Sequence, residues 1–245
     1  REAFLVFKRT VKLTHDAGVT AAEINTLLET MLPECVLGRV AAGETRIFDT
    51  ADVASVSFSD VAGFTNWSST RSSEQVVQMV STLTAAYDVA SRECQVAKVK
   101  TIGDAFWAVS GLPDPVADCA VRICNFALRQ QELLVGLNEK NPQWGGIELR
   151  VGCHTGPLVG GLLGTQQLAY EVFGETNEIA EEHEQAAPRG GVLASEATMK
   201  EADPAGQYHF TVCEAMVRGA PTFVATRREV PLPVGARNAR AARRR

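Results

Sequence analysis

Asp60, in Val56-Ser57-Phe58-Ser59-Asp60-Val61-Ala62-Gly63-Phe64-Thr65, and Asp104, in Lys100-Thr101-Ile102-Gly103-Asp104-Ala105-Phe106, each stand where an apolar strand-like run gives way to a turn. A carboxylate there presents hard oxygen ligands beside backbone N–H groups that no ladder uses, the combination that a divalent cation and metal-bound phosphates require. The turn Gly63-Phe64-Thr65 follows Asp60 closely, and its N–H groups and the Thr65 hydroxyl can receive phosphate oxygens. Asp104 follows a glycine at the tip of a hairpin. Either Asp alone is explained by capping of a strand end, whereas the two together read as a metal pair.

The elements that must position this pair alternate: strand 53–58, helix 73–94, strand 97–102, strand 105–110, helix 116–139 and strand 147–154. That order is a split βαβ arrangement, βαββαβ, and defines an α+β class. On the first helix Val76, Val77, Val80, Leu83, Ala86 and Val89 are expected to form the core face, and on the second Val121, Phe126, Leu128 and Leu134. A C-terminal αβ extension follows, with strand 168–173, helix 176–187, strand 191–193, a helix from Ser195, and strands 208–217 and 222–225. Residues 1–31 read as a helical lead-in or connector, 32–226 as the main domain and 227–245 as a basic, disordered tail.

At 245 residues, 45% hydrophobic and 22% charged, the chain is ample for one packed domain. Its formal net charge of -5 hides an asymmetry, because the tail carries Arg227, Arg228, Arg237, Arg240, Arg243, Arg244 and Arg245 against Glu229, leaving the remainder acidic. The cysteines, at 35, 94, 119, 124, 153 and 213, lack zinc-ligand or disulfide spacing and read as reduced, buried thiols of a cytoplasmic domain. His15, His154, His183 and His209 share no motif spacing. No apolar run is long enough to span a bilayer, and the start at Arg1 rather than Met reads as a piece of a longer protein.

Beyond the two Asp motifs, the chain carries Met31-Leu32-Pro33-Glu34-Cys35-Val36, Val109-Ser110-Gly111-Leu112-Pro113, Leu149-Arg150-Val151-Gly152-Cys153-His154-Thr155-Gly156-Pro157 and Tyr170-Glu171-Val172-Phe173-Gly174-Glu175-Thr176. In this ordered set it resembles the catalytic domain of class III nucleotide cyclases, the adenylyl and guanylyl cyclases, over residues 32–224. The resemblance implies a ferredoxin-like, polymerase-palm-like fold and conversion of ATP, or less readily GTP, to a cyclic nucleotide and pyrophosphate. It also implies Mg2+ or Mn2+, two ions per active site, on Asp60, Asp104 and the main-chain carbonyl of Val61. Arg150 is matched to a residue reaching the phosphates from the same subunit. One ion would activate the attacking ribose oxygen while the other holds the leaving phosphates.

The family selects its base through positions matched here by Lys100 and Glu171. A lysine donor and an acidic acceptor suit adenine, although Glu171 is one methylene longer than the usual Asp. The chain departs from the family at Glu178 and Glu182, where an Asn and, four residues later, an Arg ordinarily orient the ribose and stabilise charge on the α-phosphate. Spacing of four places both carboxylates on one helix face, and acidic groups cannot clamp a phosphate. Asn177 is rotated by about 100° from the needed position. With Glu175, Glu181 and Glu184 these residues are expected to form a solvated face. Arg218 lies near the family's phosphate-contacting Lys in the last hairpin.

Such sites form between two domains arranged head to tail, and this chain resembles the metal-bearing first catalytic domain of two-domain membrane adenylyl cyclases. The expected partner is a second cyclase domain, in a homodimer or a heterodimer. A homodimeric adenylyl or guanylyl cyclase of low activity and a regulatory pseudo-cyclase are the alternatives. No nucleic-acid partner is expected. Membrane contact is expected only through upstream segments or the basic tail, each Arg contributing about 1 kcal/mol near an anionic surface.

Overall fold

In the computed structural model, residues 32–44, 46–164, 168–203 and 206–228 are described. The helical lead-in over 1–31 and the expected tail from 229 onward lie outside them; the first two residues of that tail belong to the fold instead, Arg227 ending the last strand and Arg228 N–H donating to Gln207 O.

Alternating apolar and small residues build the central strand β1 (Phe48–Val61), which begins ahead of the expected 53–58 run and ends just after Asp60. A short helix α1 (Glu34–Ala41) precedes it and packs Val36 and Val40 against Ile47 and Tyr170, an element that the Pro33-Glu34 start did not announce. After β1 come a six-residue helix α2 (Phe64–Ser69) and helix α3 (Ser73–Glu93). Ser72 starts α3 with a capping box, its hydroxyl accepting from Gln75 N–H while the Gln75 side chain accepts from Ser72 N–H. Strands β2 (Ala97–Ile102) and β3 (Ala105–Ser110) form the hairpin where it was expected. Helix α4 (Cys119–Lys140) then leads through a 3-10 turn at Pro142–Trp144 to β4 (Leu149–Leu163). The extension comprises β5 (Ala169–Phe173), α5 (Glu175–Ala186), β6 (Val192–Ser195), α6 (Glu196–Ala202), β7 (Tyr208–Val217) and β8 (Ala220–Arg227).

The strands form one eight-stranded sheet in the order β2-β3-β1-β4-β6-β8-β7, with β5 paired to β4. Its first four members, with α3 and α4, are the ferredoxin-like βαββαβ core, and the whole is a mixed α+β palm-like fold. Strand β4 is almost twice as long as expected, because Gly156, Gly160 and Gly161 continue it past His154 in register with β1 and then β5.

One face of the sheet is covered by α3 and α4 and the other by α5. The core stripe of α3 runs through Met79, Leu83, Tyr87 and Ala90, with Val80 and Ala86 packed at its edge; of the expected face, Val77 and Val89 point outward, 64% and 47% exposed. The larger Met and Tyr side chains take the buried stripe because they bury more apolar area, and Tyr87 meets Phe106 edge-on at 5.9 Å. Cys119, Cys124 and Cys153 are buried and the other three cysteines half-buried, all as free thiols.

The opposite face depends on Gly152. A Cβ there would lie 2.0 Å from Glu184 N and 2.3 Å from Ala180 O, so the backbone of α5 rests directly on β4. Gly152→Ala therefore forces α5 off the sheet. Urea unfolding should show a loss of at least about 3 kcal/mol, at the upper end of overpacking costs because the obstructing atoms are main chain.

Candidate active site

Asp60 is the penultimate residue of β1, and its direct partner across the ladder is Arg150 on β4. The Arg150 guanidinium lies 3.1 Å from Asp60 Oδ2. The β2–β3 turn at Gly103-Asp104, with Gly103 at φ 65°, folds Asp104 back toward the end of β1, where its Oδ2 accepts from Val61 N–H at 3.2 Å. The pair singled out from sequence is thus brought together with Val61 and Arg150.

Burial, then a hydrogen bond and the negative charge of Asp60, push the Asp104 carboxyl up to about 7. Two carboxylates placed this close, one of them reluctant to ionise, fit a cation: positive charge is what would let both remain deprotonated. Among the described residues no cluster of three or more His, Cys, Asp or Glu side chains converges on a metal position. Two carboxylates and a carbonyl, with phosphate and water completing the shell, is the sparse protein set that suits Mg2+ or Mn2+.

Glu184 is the residue that sequence reasoning misassigned. Expected on a solvated face, it is only 6% exposed and holds Oε1 at 2.9 Å from the same guanidinium nitrogen that touches Asp60. Burial raises its carboxyl to about 7, with Arg150 acting in the opposite sense and Asp60 and Glu181 adding to the rise. A signal was present: Thr176, Ala180, His183 and Glu184 fall at i, i+4, i+7 and i+8, and all are buried.

Gly63, at φ 76°, starts α2 with no side-chain cap, so the turn Gly63-Phe64-Thr65 keeps open N–H groups two residues beyond Val61. Arg189 Nη2 sits 3.7 Å from where a Gly63 side chain would begin, and its nearest carboxylate is Glu148 at 3.9 Å. Sequence reasoning had not singled out Arg189.

Lys100 and Glu171 form a second group. Lys100 Nζ donates to Glu171 Oε2 at 2.7 Å and lies 5.1 Å over the Trp107 ring, so the two base-selecting candidates satisfy each other. A third group gathers around Arg218, in the β7–β8 turn at φ 50°. Its Nε and Nη2 grip Glu182 at 2.8 Å, Nη2 approaches Glu178 at 3.4 Å, and Nη1 bonds Glu175. The bonds from Arg218 hold the Glu182 carboxyl below its ordinary range and keep the guanidinium firmly charged. Glu178 and Glu182 do share one helix face, as their spacing required, but they are occupied by Arg218. Asn177 turns away and donates to Val172 O at 3.0 Å.

Beside this helix His154 and His183 stack with centroids 6.0 Å apart. Burial, reinforced by the mutual charge of the pair, lowers His154 to about 4. His154 Nδ1 bonds Ser195 Oγ and His183 Nδ1 bonds Ile179 O, so both rings are structural.

A strand-end carboxylate pair on a palm-like sheet, flanked by an arginine and an open glycine turn, defines a nucleotide-handling class of domain. A sequence profile of the adenylate and guanylate cyclase catalytic domain matches residues 48–225, and the chain belongs to that family. It is 34% identical over 165 residues to the guanylate cyclase soluble subunit beta-2 of Rattus norvegicus, covering 67% of this chain and 24% of that protein. It is also 34% identical over 155 residues to an adenylate cyclase of Mycobacterium bovis, covering 63% of this chain and 34% of that one. The matched part therefore spans between about a quarter and about a third of the length of these relatives. In structure it is similar to the guanylate cyclase domain of RhGC from Catenaria anguillulae, solved in complex with GTP, with TM-score 0.67, 29% identity and coverage of 74% of this chain and 100% of that chain. Among the described residues no helix is long and apolar enough to cross a membrane.

Proposed function

We propose that residues 32–226 convert ATP to cyclic AMP and pyrophosphate as the metal-bearing half of a head-to-tail cyclase pair, and that a complementary domain supplies the remaining contacts. The observation that carries this reading is the contrast between two halves of one chain. Asp60 and Asp104 stand together beside Arg150, while Glu178 and Glu182 are committed to Arg218.

In the mechanism, Asp60, Asp104 and the Val61 carbonyl would hold Mg2+ or Mn2+. When bound, the ions supply Lewis-acid stabilisation to the attacking and departing oxygens. The open N–H groups of Gly63-Phe64-Thr65 donate to the β- and γ-phosphate oxygens, and Arg150 neutralises charge at the same end. Orientation by these groups brings the ribose 3′ oxygen in line with the α-phosphorus. Lys100 and Glu171 favour adenine by donor and acceptor order when they face a substrate. In a heterodimer they lie in the second cleft, and the partner sets the base. A homodimer of low activity is the second reading, favoured by the retained Lys100–Glu171 pair.

The test is cyclic AMP and cyclic GMP formation by the purified chain with Mn2+, alone and mixed with a cyclase domain bearing the Asn and Arg. We expect little product alone and at least a hundredfold more in the mixture. High turnover by the chain alone sinks the half-site reading, and failure to bind Mn2+ with nucleotide in calorimetry favours a regulatory pseudo-cyclase.

A further inference from the structure

We propose that Glu184 is a positioning residue for the metal site: it draws the Arg150 guanidinium away from a two-pronged grip on Asp60, so that Arg150 touches one Asp60 oxygen and the other is left to a cation. This rests on the reading of Asp60 as a metal ligand.

Arg150 faces two carboxylates through one nitrogen, Asp60 Oδ2 at 3.1 Å from β1 and Glu184 Oε1 at 2.9 Å from α5. With Asp60 alone as partner, the guanidinium would settle fully on that carboxylate and compete with a cation for it, because an arginine can close a bidentate fork on one acid. Glu184 divides the attraction. It is placed to do so by construction, since the missing side chain at Gly152 lets the backbone at Glu184 rest on β4 two residues from Arg150.

Two further features support positioning over simple stabilisation. The Arg150–Glu184 contact is close but off-axis: Glu184 Oε1 and Arg150 Nε are both buried without an aligned hydrogen-bond partner. A buried pair evolved only for stability would be expected to satisfy those atoms, because unmade bonds of charged groups are costly. Glu184 also keeps the guanidinium from being left uncompensated when Asp60 turns to a cation.

The experiment measures Mn2+ alone, by the electron paramagnetic resonance signal of the unbound ion, on the full chain at fixed pH. Glu184→Gln keeps the shape and removes the charge. It should weaken Mn2+ binding about tenfold, because Arg150 then falls back on Asp60. Combining Glu184→Gln with Arg150→Gln should return Mn2+ affinity to within about threefold of the unmodified chain, a recovery that a merely structural Glu184 would not produce. Should Glu184→Gln fail to fold by thermal melting, Glu184→Asp serves, with a smaller loss likewise relieved by Arg150→Gln. Unchanged Mn2+ affinity in the Glu184 variant, or a loss that Arg150→Gln does not relieve, overturns the proposal. If the unmodified chain binds no Mn2+, the metal reading falls and this inference with it; unaltered binding in the variant removes this inference alone.

Discussion

Cyclic-nucleotide formation by the purified chain should rise on the order of a thousandfold when Glu178 is replaced by Asn and Glu182 by Arg, since a positioned transition-state arginine is worth that much in phosphoryl chemistry. The two positions are one helical turn apart on α5, so both new side chains project from the face that now carries the acids. The exchange also releases Arg218, which loses its bidentate partner Glu182 and its contact with Glu178, keeping Glu175. Arg218→Ala alone is the control: it breaks the same cluster without supplying an Asn or Arg, and should give no comparable gain. A double substitution that leaves the rate flat, on a chain already turning over well, would mean that other groups stabilise the α-phosphate.

Asp104→Asn should abolish turnover in the mixture with a complementary cyclase domain, by at least about a thousandfold, and at the same time stabilise the metal-free chain at alkaline pH. The first effect follows from removing one of two anionic ligands from a site whose protein donors are few. The second follows from linkage. The Asp104 carboxyl lies at about 7 in the folded chain against 3.8 for an ordinary aspartate. Between those values the folded state binds more protons than the unfolded one, so stability falls as pH rises through this window and the full cost is present at pH 8. The shift corresponds to at most about 4 kcal/mol, and partial solvent screening brings the expected gain in the Asn variant to roughly 2 kcal/mol. The Asn oxygen can still accept from Val61 N–H. Chemical denaturation at pH 5 and pH 8 without metal, beside an activity assay with Mn2+, reads both. If Asp104 were only a cap on the hairpin, the variant would lose stability at both pH values, which is the result that would count against a metal role.

Much of this was legible because it is local. The β2–β3 hairpin was expected over its full extent, since two short apolar runs separated by Gly-Asp leave one economical geometry. The βαββαβ order followed from the change between helical and strand periodicity. Where local signals were ambiguous the expectation shifted: Val77 and Val89 of α3 gave way to Met79 and Tyr87, and β4 ran on through glycines that sequence reads as breakers, because neighbouring strands supplied the ladder.

What the sequence by itself determined was the identity and strand-end placement of Asp60 and Asp104, and the acidic character of the two α5 positions where the family has Asn and Arg. Only the tertiary structure decided which charges answer which. Arg218 reaches Glu182 across 36 residues, Lys100 finds Glu171 across 71, and Arg150 is shared between Asp60 and a Glu184 that its helix buries. Pairings of that kind depend on how closely α5 can approach β4, and that distance is set by the absence of a side chain at Gly152, whose consequence exists only once helix and strand are packed together.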